Sequence, residues 1–327
     1  MSIKSGLDRS LVLGAVRTTE AAAIAASRMI GLGDEKNADQ VAVDAMRKML
    51  GDLDISGVVV IGEGERDEAP MLFIGEKIGK GGNEIDIALD PLEGTTITAN
   101  GGPNALAVLA MSEKGGFLHA PDVYMDKIAV GGNLPPDIVD LDFSPSENIN
   151  RLAEAKGTKP SDLMACVLDR PRHAKIIEEI RGTGARIKLI PDGDVAGVIA
   201  TSDPETGVDI YIGVGGAPEG VLAAAALTCI GGQMQGRLVF RNDIEKSRAA
   251  STGIKNLEKK YKLNDLAHGD VLFAASGVTD GSMLDGVKQR GNYVTTHSMV
   301  MRAKTGTIRK IHSQHDINKA LMGVVKL

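Results

Sequence analysis

Two carboxylates and a hydroxyl stand close together in the run from Asp90 to Thr95, which reads Asp-Pro-Leu-Glu-Gly-Thr. Carboxylates spaced like Asp90 and Glu93 around a turn can hold a divalent metal. The glycine lets the main chain approach a ligand closely, so the threonine hydroxyl and the nearby amides are available to an oxyanion. The proline fixes one backbone angle of the turn. Together these residue types suggest phosphoryl chemistry.

Two short strands are predicted to end in acids. Residues 84–89 alternate polar and apolar side chains, which predicts a strand that delivers Asp90 to the end of a sheet. Residues 58–61 predict a buried strand that runs into a glycine-rich turn carrying Glu63 and Glu65. Both acidic strand ends belong to the same half of the chain.

Two helices are predicted near the N-terminus. The first spans residues 8–30 and stops at Gly31 and Gly33, and the second spans residues 38–50 on one apolar stripe. Asp39 is predicted in the first turn of the second helix. The helix dipole favours an acid there even when it has no function.

From Ser144 onwards, strands and helices are predicted to alternate, which implies an α/β fold with a mostly parallel sheet and helices on its faces. Ligands of such sheets bind beyond the carboxyl ends of the strands. We predict a mixed α+β domain over residues 1–158, carrying most metal ligands, and an α/β domain over residues 159–327. The predicted strands are 163–169, 186–191, 208–214 and 237–240, and the predicted helices are 171–181, 195–201 and 218–229.

The composition excludes several classes of function. The 327-residue chain contains 43% hydrophobic and 24% charged residues, but 40 Gly against only 3% aromatic residues. A formal net charge of -6 and the absence of Trp disfavour nucleic-acid and membrane surfaces. Cys166 and Cys229 lie in apolar runs, which indicates buried, reduced thiols and a cytoplasmic protein. The apolar run at residues 11–16 is too short for a signal peptide, and no segment approaches the ~20 apolar residues of a membrane span.

Eight acids are predicted at strand ends or helix starts. Each alone is better explained as a solvated turn residue or a helix-start acid than as a metal ligand, and their clustering is what favours a metal site. Oxygen ligands without matched Cys or His indicate Mg²⁺ or Mn²⁺ rather than zinc, and two such ions suit phosphoryl displacement. The acids are Asp39, Glu63, Glu65, Asp90, Glu93, Asp192, Asp194 and Glu219.

Other polar residues could grip a substrate. Arg170 and Arg172 flank a proline that would start a helix, and helix starts attract phosphate, although arginine is also commonly exposed. Asp192 and Asp194 have a spacing suited to sugar hydroxyls, but Asp-Gly-Asp is also an ordinary turn.

Two nucleotide-binding motifs are absent. The run at residues 213–216 lacks the third glycine of a dinucleotide fingerprint, because Pro218 occupies that position. No phosphate-binding loop of the Gly-x-x-x-x-Gly-Lys-Ser/Thr type occurs either. His312 and His315 are spaced to share a helical face without a third ligand nearby, and residues 304–307 predict a turn between two short strands. We assign neither segment a role.

The run from Asp90 to Thr95 resembles the Asp-Pro-Ile/Leu-Asp/Glu-Gly-Thr signature of the lithium-sensitive, metal-dependent sugar and inositol phosphatases. Three further stretches make nearly the whole chain similar to bacterial class II fructose-1,6-bisphosphatases. They are Gly-Glu-Gly-Glu-Arg-Asp-Glu-Ala-Pro at 62–70, Asp-Arg-Pro-Arg-His at 169–173 and Gly-Gly-Ala-Pro-Glu-Gly at 215–220. The resemblance implies a layered α/β/α/β/α sandwich and a homo-oligomer, either a dimer or a tetramer.

The resemblance also implies roles for individual residues. Thr95 would orient the attacking water, and the main chain of Gly94 and Thr95 would hold the departing phosphate. Lys36 is left out of this set, because its spacing to Asp39 departs from the family pattern, and Asp67 is only a candidate second acid near the water. The implied metal ligands are Asp39, Glu63, Asp90, Glu93 and Glu219. The implied substrate contacts are Glu93, Gly94, Thr95, Tyr124, Arg170, Arg172, Asp192, Asp194 and Gly216.

The resemblance implies hydrolysis of the 1-phosphate of fructose 1,6-bisphosphate with Mg²⁺ or Mn²⁺. Three alternatives remain at this point: a dual enzyme that also accepts sedoheptulose 1,7-bisphosphate, a non-catalytic sugar-phosphate sensor, and a dinucleotide-binding oxidoreductase.

Overall fold

The computed structural model describes residues 7–64, 71–316 and 319. These residues form two compact units. The first combines the chain up to Phe117 with the chain from Gly269 onwards, and the second spans Leu118–His268. Within the described part of the chain, no helix combines the length and apolar character needed to cross a membrane.

The secondary structure mixes helices and strands throughout. The helices are α1 Leu11–Ser27, α2 Glu35–Gly51, α3 Thr95–Asn100, α4 Pro145–Lys156, α5 Ala174–Gly182, α6 Asp194–Ile199, α7 Ala217–Ile230, α8 Asp243–Ser251 and α9 Leu263–Leu266. The strands are β1 Ile55–Ile61, β2 Lys77–Ile78, β3 Asn83–Glu93, β4 Leu106–Glu113, β5 Tyr124–Gly131, β6 Met164–Leu168, β7 Arg186–Ile190, β8 Ile210–Gly216, β9 Gly232–Val239, β10 Lys260–Lys262, β11 Val271–Gly277, β12 Lys288–Arg290, β13 Tyr293–Arg302 and β14 Thr307–Asp316.

The first unit is built on one sheet. Its strands lie in the order β2-β1-β3-β4-β11-β13, and β13 pairs in addition with β12 and β14. Only β1 and β3 pair in parallel among the described strands of this sheet. This single parallel pair brings the carboxyl ends of β1 and β3 to the same edge.

Helices α1 and α2 pack against each other, and α1 also packs on β4, β11 and β13. Alanine dominates the buried side of α1, where its small side chain allows close packing at high helix propensity. The helix ends at Ser27, earlier than the glycine stop that the sequence predicts.

The second unit contains a mixed sheet in the order β10-β9-β5-β8-β6-β7. The α/β class with helices around two sheets is therefore confirmed. The mostly parallel sheet is not, because only β6, β7 and β8 pair in parallel while β5, β9 and β10 add antiparallel strands. The predicted alternation of strands and helices begins after β5. It therefore could not reveal that β5 lies between β8 and β9 in the sheet.

The domain junction predicted near residue 158 lies inside the second unit, just after α4. The first unit is discontinuous, since β11 to β14 return to its sheet from the C-terminal part of the chain. Local composition does not reveal such a return. Both cysteines are buried, as predicted, and burial raises the pKa of the Cys166 thiol to about 12.

A buried ion pair ties together distant parts of the first unit. Arg302 donates from Nε and Nη2 to the two carboxylate oxygens of Asp270, at 3.0 and 2.6 Å, and also from Nη2 to the Leu7 carbonyl at 2.6 Å. The side chains of Arg302 and Asp270 are only 8% and 7% exposed. Each charge is therefore satisfied mainly by the other.

We expect Arg302→Met to destabilise the protein by about 3 to 5 kcal/mol, because it leaves the Asp270 carboxylate buried without its counter-ion. Urea unfolding measures this change. Lys80→Met is the matched control, since the Lys80–Asp52 pair is 57% and 63% exposed. The control should unfold like the unmodified protein, and equal midpoints for both variants would contradict the expectation.

Candidate active site

The sequence predicts a turn from Asp90 to Glu93. In the structure this segment forms the end of strand β3 instead. Asp90 faces Val108 of β4 and Glu93 faces Leu106, so β3 holds one residue more than β4 over this interval. Such a β-bulge changes the direction in which neighbouring side chains point. Pro91 lies within this interval, where the pairing register shifts.

The parallel pairing of β1 and β3 brings two further acids to one edge. Ile61 pairs with Ala88, and Glu63 and Asp90 each follow two residues later. Equal offsets from a parallel pair leave both carboxylates at the carboxyl end of the sheet. The structure thus confirms two neighbouring acidic strand ends.

Asp39 lies on α2, which packs against β3 and α3. The helix begins at Glu35 and is capped by the Asp34 side chain, which accepts from the Asn37 amide at 3.0 Å. Asp39 is therefore in the second turn and not in the first. The helix dipole does not account for an acid there, and burial raises the pKa of the Asp39 carboxyl.

Gly94 connects β3 to α3 in the left-handed conformation, with φ 96°. Side chains other than glycine rarely adopt this conformation. Its carbonyl accepts the Thr98 amide at 2.9 Å, which begins the helix and leaves Thr95 at the first helical position.

In the second unit, three neighbouring parallel strands end beside the predicted substrate residues. Leu168 of β6 pairs with Ile190 of β7, so Arg170 and Asp192 follow at the same edge, and their side chains approach to 3.7 Å. His173 fixes this segment. Its Nδ1 contacts the Leu168 carbonyl at 2.8 Å, and its Nε2 accepts the Val214 amide at 2.9 Å.

The ring of Tyr124 makes cation–π contacts with two guanidinium groups. The Cζ atoms of Arg172 and Arg241 each lie 5.0 Å from the centroid of its ring. Arg172 also donates from Nη2 to the Val214 carbonyl at 2.8 Å. The sequence analysis named Tyr124 and Arg172 but missed Arg241, which follows β9 in a segment without any motif. The three side chains form a cationic surface suited to a phosphate.

Lys127 is a second residue that the sequence analysis missed. It is fully buried on β5, where it forms an ion pair with Asp194 and donates to the Gly216 carbonyl at 2.8 Å. The Tyr211 hydroxyl lies 3.4 Å from the same carboxylate. The available signal was that the residues two positions before and after Lys127, Met125 and Ala129, are apolar. A lysine on such a strand face is almost never buried without a partner.

Glu219 lies in the first turn of α7 beside this pair. Burial raises the pKa of its carboxyl to about 7, with Asp194 adding to the effect and Lys127 opposing it. Its Oε2 is buried and has no hydrogen-bond partner among the described residues. A buried oxygen without a donor, on a group that ionises near neutral pH, is a suitable ligand for a divalent cation.

Gly216 provides the space for this carboxylate. A Cβ atom at residue 216 would lie 1.8 Å from Oε2 of Glu219. Gly216 also pairs with Tyr124 across β5 and β8, so the cationic surface and the Glu219 carboxylate lie at the same strand end. The glycine is needed for room, since its φ of -66° suits any residue.

The structure divides the predicted site residues between the two units. Those of the first unit are Asp39, Glu63, Asp90, Glu93, Gly94 and Thr95. Those of the second unit are Tyr124, Arg170, Arg172, Asp192, Asp194, Gly216 and Glu219. Glu65, Asp67 and the remainder of the 62–70 motif from residue 65 lie outside the described residues.

The structure corrects the prediction for His312 and His315. His312 and His315 lie on strand β14 and do not share a helical face. The predicted turn at 304–307 is confirmed, although it joins two long strands, β13 and β14.

The family model described as bacterial fructose-1,6-bisphosphatase, glpX-encoded, matches residues 9–315 of the chain. The chain belongs to this family. Fructose-1,6-bisphosphatase 1 class 2 of Escherichia coli (strain K12) is 45% identical over 326 residues, covering 95% of this chain and 96% of the relative. The class 2 fructose-1,6-bisphosphatase of Shigella flexneri matches with the same identity and coverage.

Among solved structures, an inositol monophosphatase from Anabaena (Nostoc) sp. PCC 7120 aligns with a TM-score of 0.31 at 17% identity, covering 59% of this chain and 72% of that chain.

For this member of the class II fructose-1,6-bisphosphatase family, we expect Gly216→Ala to weaken metal binding by at least about tenfold while the protein stays folded. The added Cβ atom displaces the flexible end of Glu219 and no backbone atom. Thermal unfolding at increasing Mn²⁺ concentrations measures the effect. Gly182→Ala is the control, because no atom lies within 4 Å of its added Cβ. Equal Mn²⁺ midpoints for the two variants would refute the expectation.

We expect Lys127→Met to destabilise this family member by about 3 to 5 kcal/mol, since Asp194 then stays buried without its counter-ion. Adding Asp194→Asn to the same chain should restore part of the loss, because it removes the uncompensated charge. Urea unfolding of the single and double variants tests the coupling. The exposed Lys175→Met is the control, and additive effects of the two substitutions would show that the pair is not coupled.

Proposed function

We propose that this protein hydrolyses the 1-phosphate of D-fructose 1,6-bisphosphate to fructose 6-phosphate and phosphate. The observation that carries the proposal is membership of the family together with two complementary clusters. One cluster holds carboxylates at the ends of β1 and β3, and the other holds arginines around Tyr124. Carboxylates serve metal-assisted phosphoryl chemistry, and a separate cationic surface serves a second phosphate.

The proposed metal ligands are Asp39, Glu63, Asp90, Glu93 and Glu219. The buried Oε2 of Glu219 and the raised pKa values of Asp39 and Glu219 support them, because these carboxyls lack enough protein partners to favour ionisation. Bound divalent ions, Mg²⁺ or Mn²⁺, would supply neutralising charge to the phosphate oxygens and to the departing sugar alkoxide.

The remaining residues would position the substrate and water. Thr95 would orient the attacking water from the first position of α3, and the amides of Gly94 and Thr95 would hold the transferred phosphate. In this reaction water would add to the phosphorus atom as the bond between phosphorus and the sugar oxygen breaks. A proton from the water would pass to that oxygen. Glu93 would contact the reacting phosphate as well as the metal.

The second unit would hold the rest of the sugar bisphosphate. Arg170 and Arg172 would contact the distal phosphate together with Tyr124, whose ring already stacks with Arg172. Asp192 and Asp194 would accept hydrogen bonds from the sugar hydroxyls, and Gly216 would allow the sugar to approach the main chain. We propose a role in gluconeogenesis, in the cytoplasm, as a homo-oligomeric dimer or tetramer.

We expect Glu93→Gln to lower the rate of phosphate release from fructose 1,6-bisphosphate by a factor on the order of 10³, because it removes a charged group from the transition state. Arg172→Met should instead raise KM by about 10- to 100-fold, since it removes a charge-assisted hydrogen bond to the substrate. A phosphate-release assay with Mg²⁺ and with Mn²⁺ measures both.

The exposed Arg181→Met is the matched control for Arg172 and should behave like the unmodified protein. Parallel kinetics on sedoheptulose 1,7-bisphosphate decide between a single and a dual substrate. The proposed function would be overturned if the unmodified protein, like Glu93→Gln, released no phosphate from either sugar with either metal.

A further inference from the structure

A histidine pair and an acid meet on the first unit, at strands that β4 and β11 separate from β3 in the sheet. His297 of β13 lies directly opposite His312 of β14 in the strand register. Their rings stack with centroids 3.8 Å apart and planes inclined by 19°. Side chains directly opposite each other on antiparallel strands are the closest cross-strand neighbours.

Asp285 reaches the same pair from the segment between β11 and β12. Its amide donates to Nδ1 of His297 at 3.0 Å, and its carboxylate oxygen lies 3.5 Å from that nitrogen. The three residues each offer one ligand atom, and all three atoms lie within 4.8 Å of one another. Asp285 and His312 are exposed, so an ion can reach the cluster from solvent.

The Nδ1 atom of His297 is the ring nitrogen that faces Asp285. Because Nδ1 accepts the Asp285 amide, its lone pair points towards the acid. The other nitrogen, Nε2, is buried and has no hydrogen-bond partner among the described residues. The contacts on the Nδ1 side therefore set the orientation of the ring.

We propose that Asp285, His297 and His312 form a second metal site that takes a borderline transition ion such as Zn²⁺. Two imidazole nitrogens and one carboxylate match the ligands that zinc prefers, whereas Mg²⁺ and Mn²⁺ prefer oxygen ligands alone. Binding would break the hydrogen bond between the Asp285 amide and Nδ1 of His297, and the lone pair of Nδ1 would then coordinate the ion. A solvent-exposed coordination position stays available to water.

The site would link three elements of the first unit. The segment carrying Asp285 would be joined to both β13 and β14, and β14 is the outer strand of this edge of the sheet. The same segment lines a cavity of about 310 Å³ through Asp280, Gly286 and Val287. Bound zinc would hold one wall of that cavity in place.

The test is zinc binding to the full-length protein in saturating Mg²⁺, which occupies oxygen sites without competing strongly for imidazoles. Equilibrium dialysis with metal analysis should find one more zinc ion on the unmodified protein than on His312→Gln. The exposed His268→Gln is the matched control and should bind zinc like the unmodified protein. Zinc X-ray absorption should show two nitrogen ligands at about 2.0 to 2.1 Å.

Asp285→Asn provides a second variant at an exposed position, and it should lower the affinity for the same zinc ion by at least tenfold. Circular dichroism confirms that each variant is folded. Equal zinc stoichiometry and affinity in the unmodified protein, His312→Gln and Asp285→Asn would overturn the proposal. A spectrum with oxygen ligands alone would overturn it as well. Phosphatase activity in Mg²⁺ should be the same in His312→Gln and the unmodified protein, so this outcome is independent of the proposed function.

Discussion

The charge balance around Lys127 is the constraint on which the polar cluster of the second unit depends. Asp194 and Glu219 face one buried ammonium group, so a single positive charge serves two carboxyls. Burial is the main cause that raises the pKa of Glu219, and the neighbouring Asp194 carboxylate raises it further. In the proposed metal site, a bound cation would supply the positive charge that this cluster lacks. Gly216 leaves room for the Glu219 carboxylate.

In the first unit, strand pairing rather than a buried lysine positions the acidic residues. The parallel register of β1 and β3 places Glu63 and Asp90 at equal offsets, and the bulge around Pro91 separates Asp90 from Glu93 by an additional residue. Both devices bring carboxylates together at a sheet edge, where the chain leaves the regular hydrogen-bond pattern. The rigid sheet offsets the mutual repulsion that would disperse such acids on a flexible loop.

The first unit also shows two different donor chemistries. Oxygen ligands dominate the carboxyl ends of β1 and β3, whereas imidazole nitrogens dominate the pair on β13 and β14. Hard cations such as Mg²⁺ prefer the former and borderline cations such as Zn²⁺ prefer the latter. The proposed carboxylate site and the proposed histidine site would therefore select different metals.

Much of the chemistry could be predicted from the order of residues along the chain. Asp90, Glu93, Gly94 and Thr95 are neighbours in sequence, so their common location and the need for glycine between acid and hydroxyl follow from local geometry alone. The same holds for Arg170 and Arg172 beside their proline. Strands and helices of high apolar periodicity were predicted near their observed positions, because burial of one face imposes that periodicity.

Tertiary structure alone decided which distant residues became neighbours. Lys127 and Asp194, Tyr124 and Arg241, and His297 and His312 come together through strand order and register, which are set by packing over the whole unit and leave no short-range pattern. The return of β11 to β14 to the first unit and the antiparallel insertion of β5 have the same cause. The sequence by itself determined which polar groups lie close together along the chain and where most of the helices and strands form. Long-range pairing determined which of those groups share a charge, because the energy of a buried charge depends on its neighbours in space.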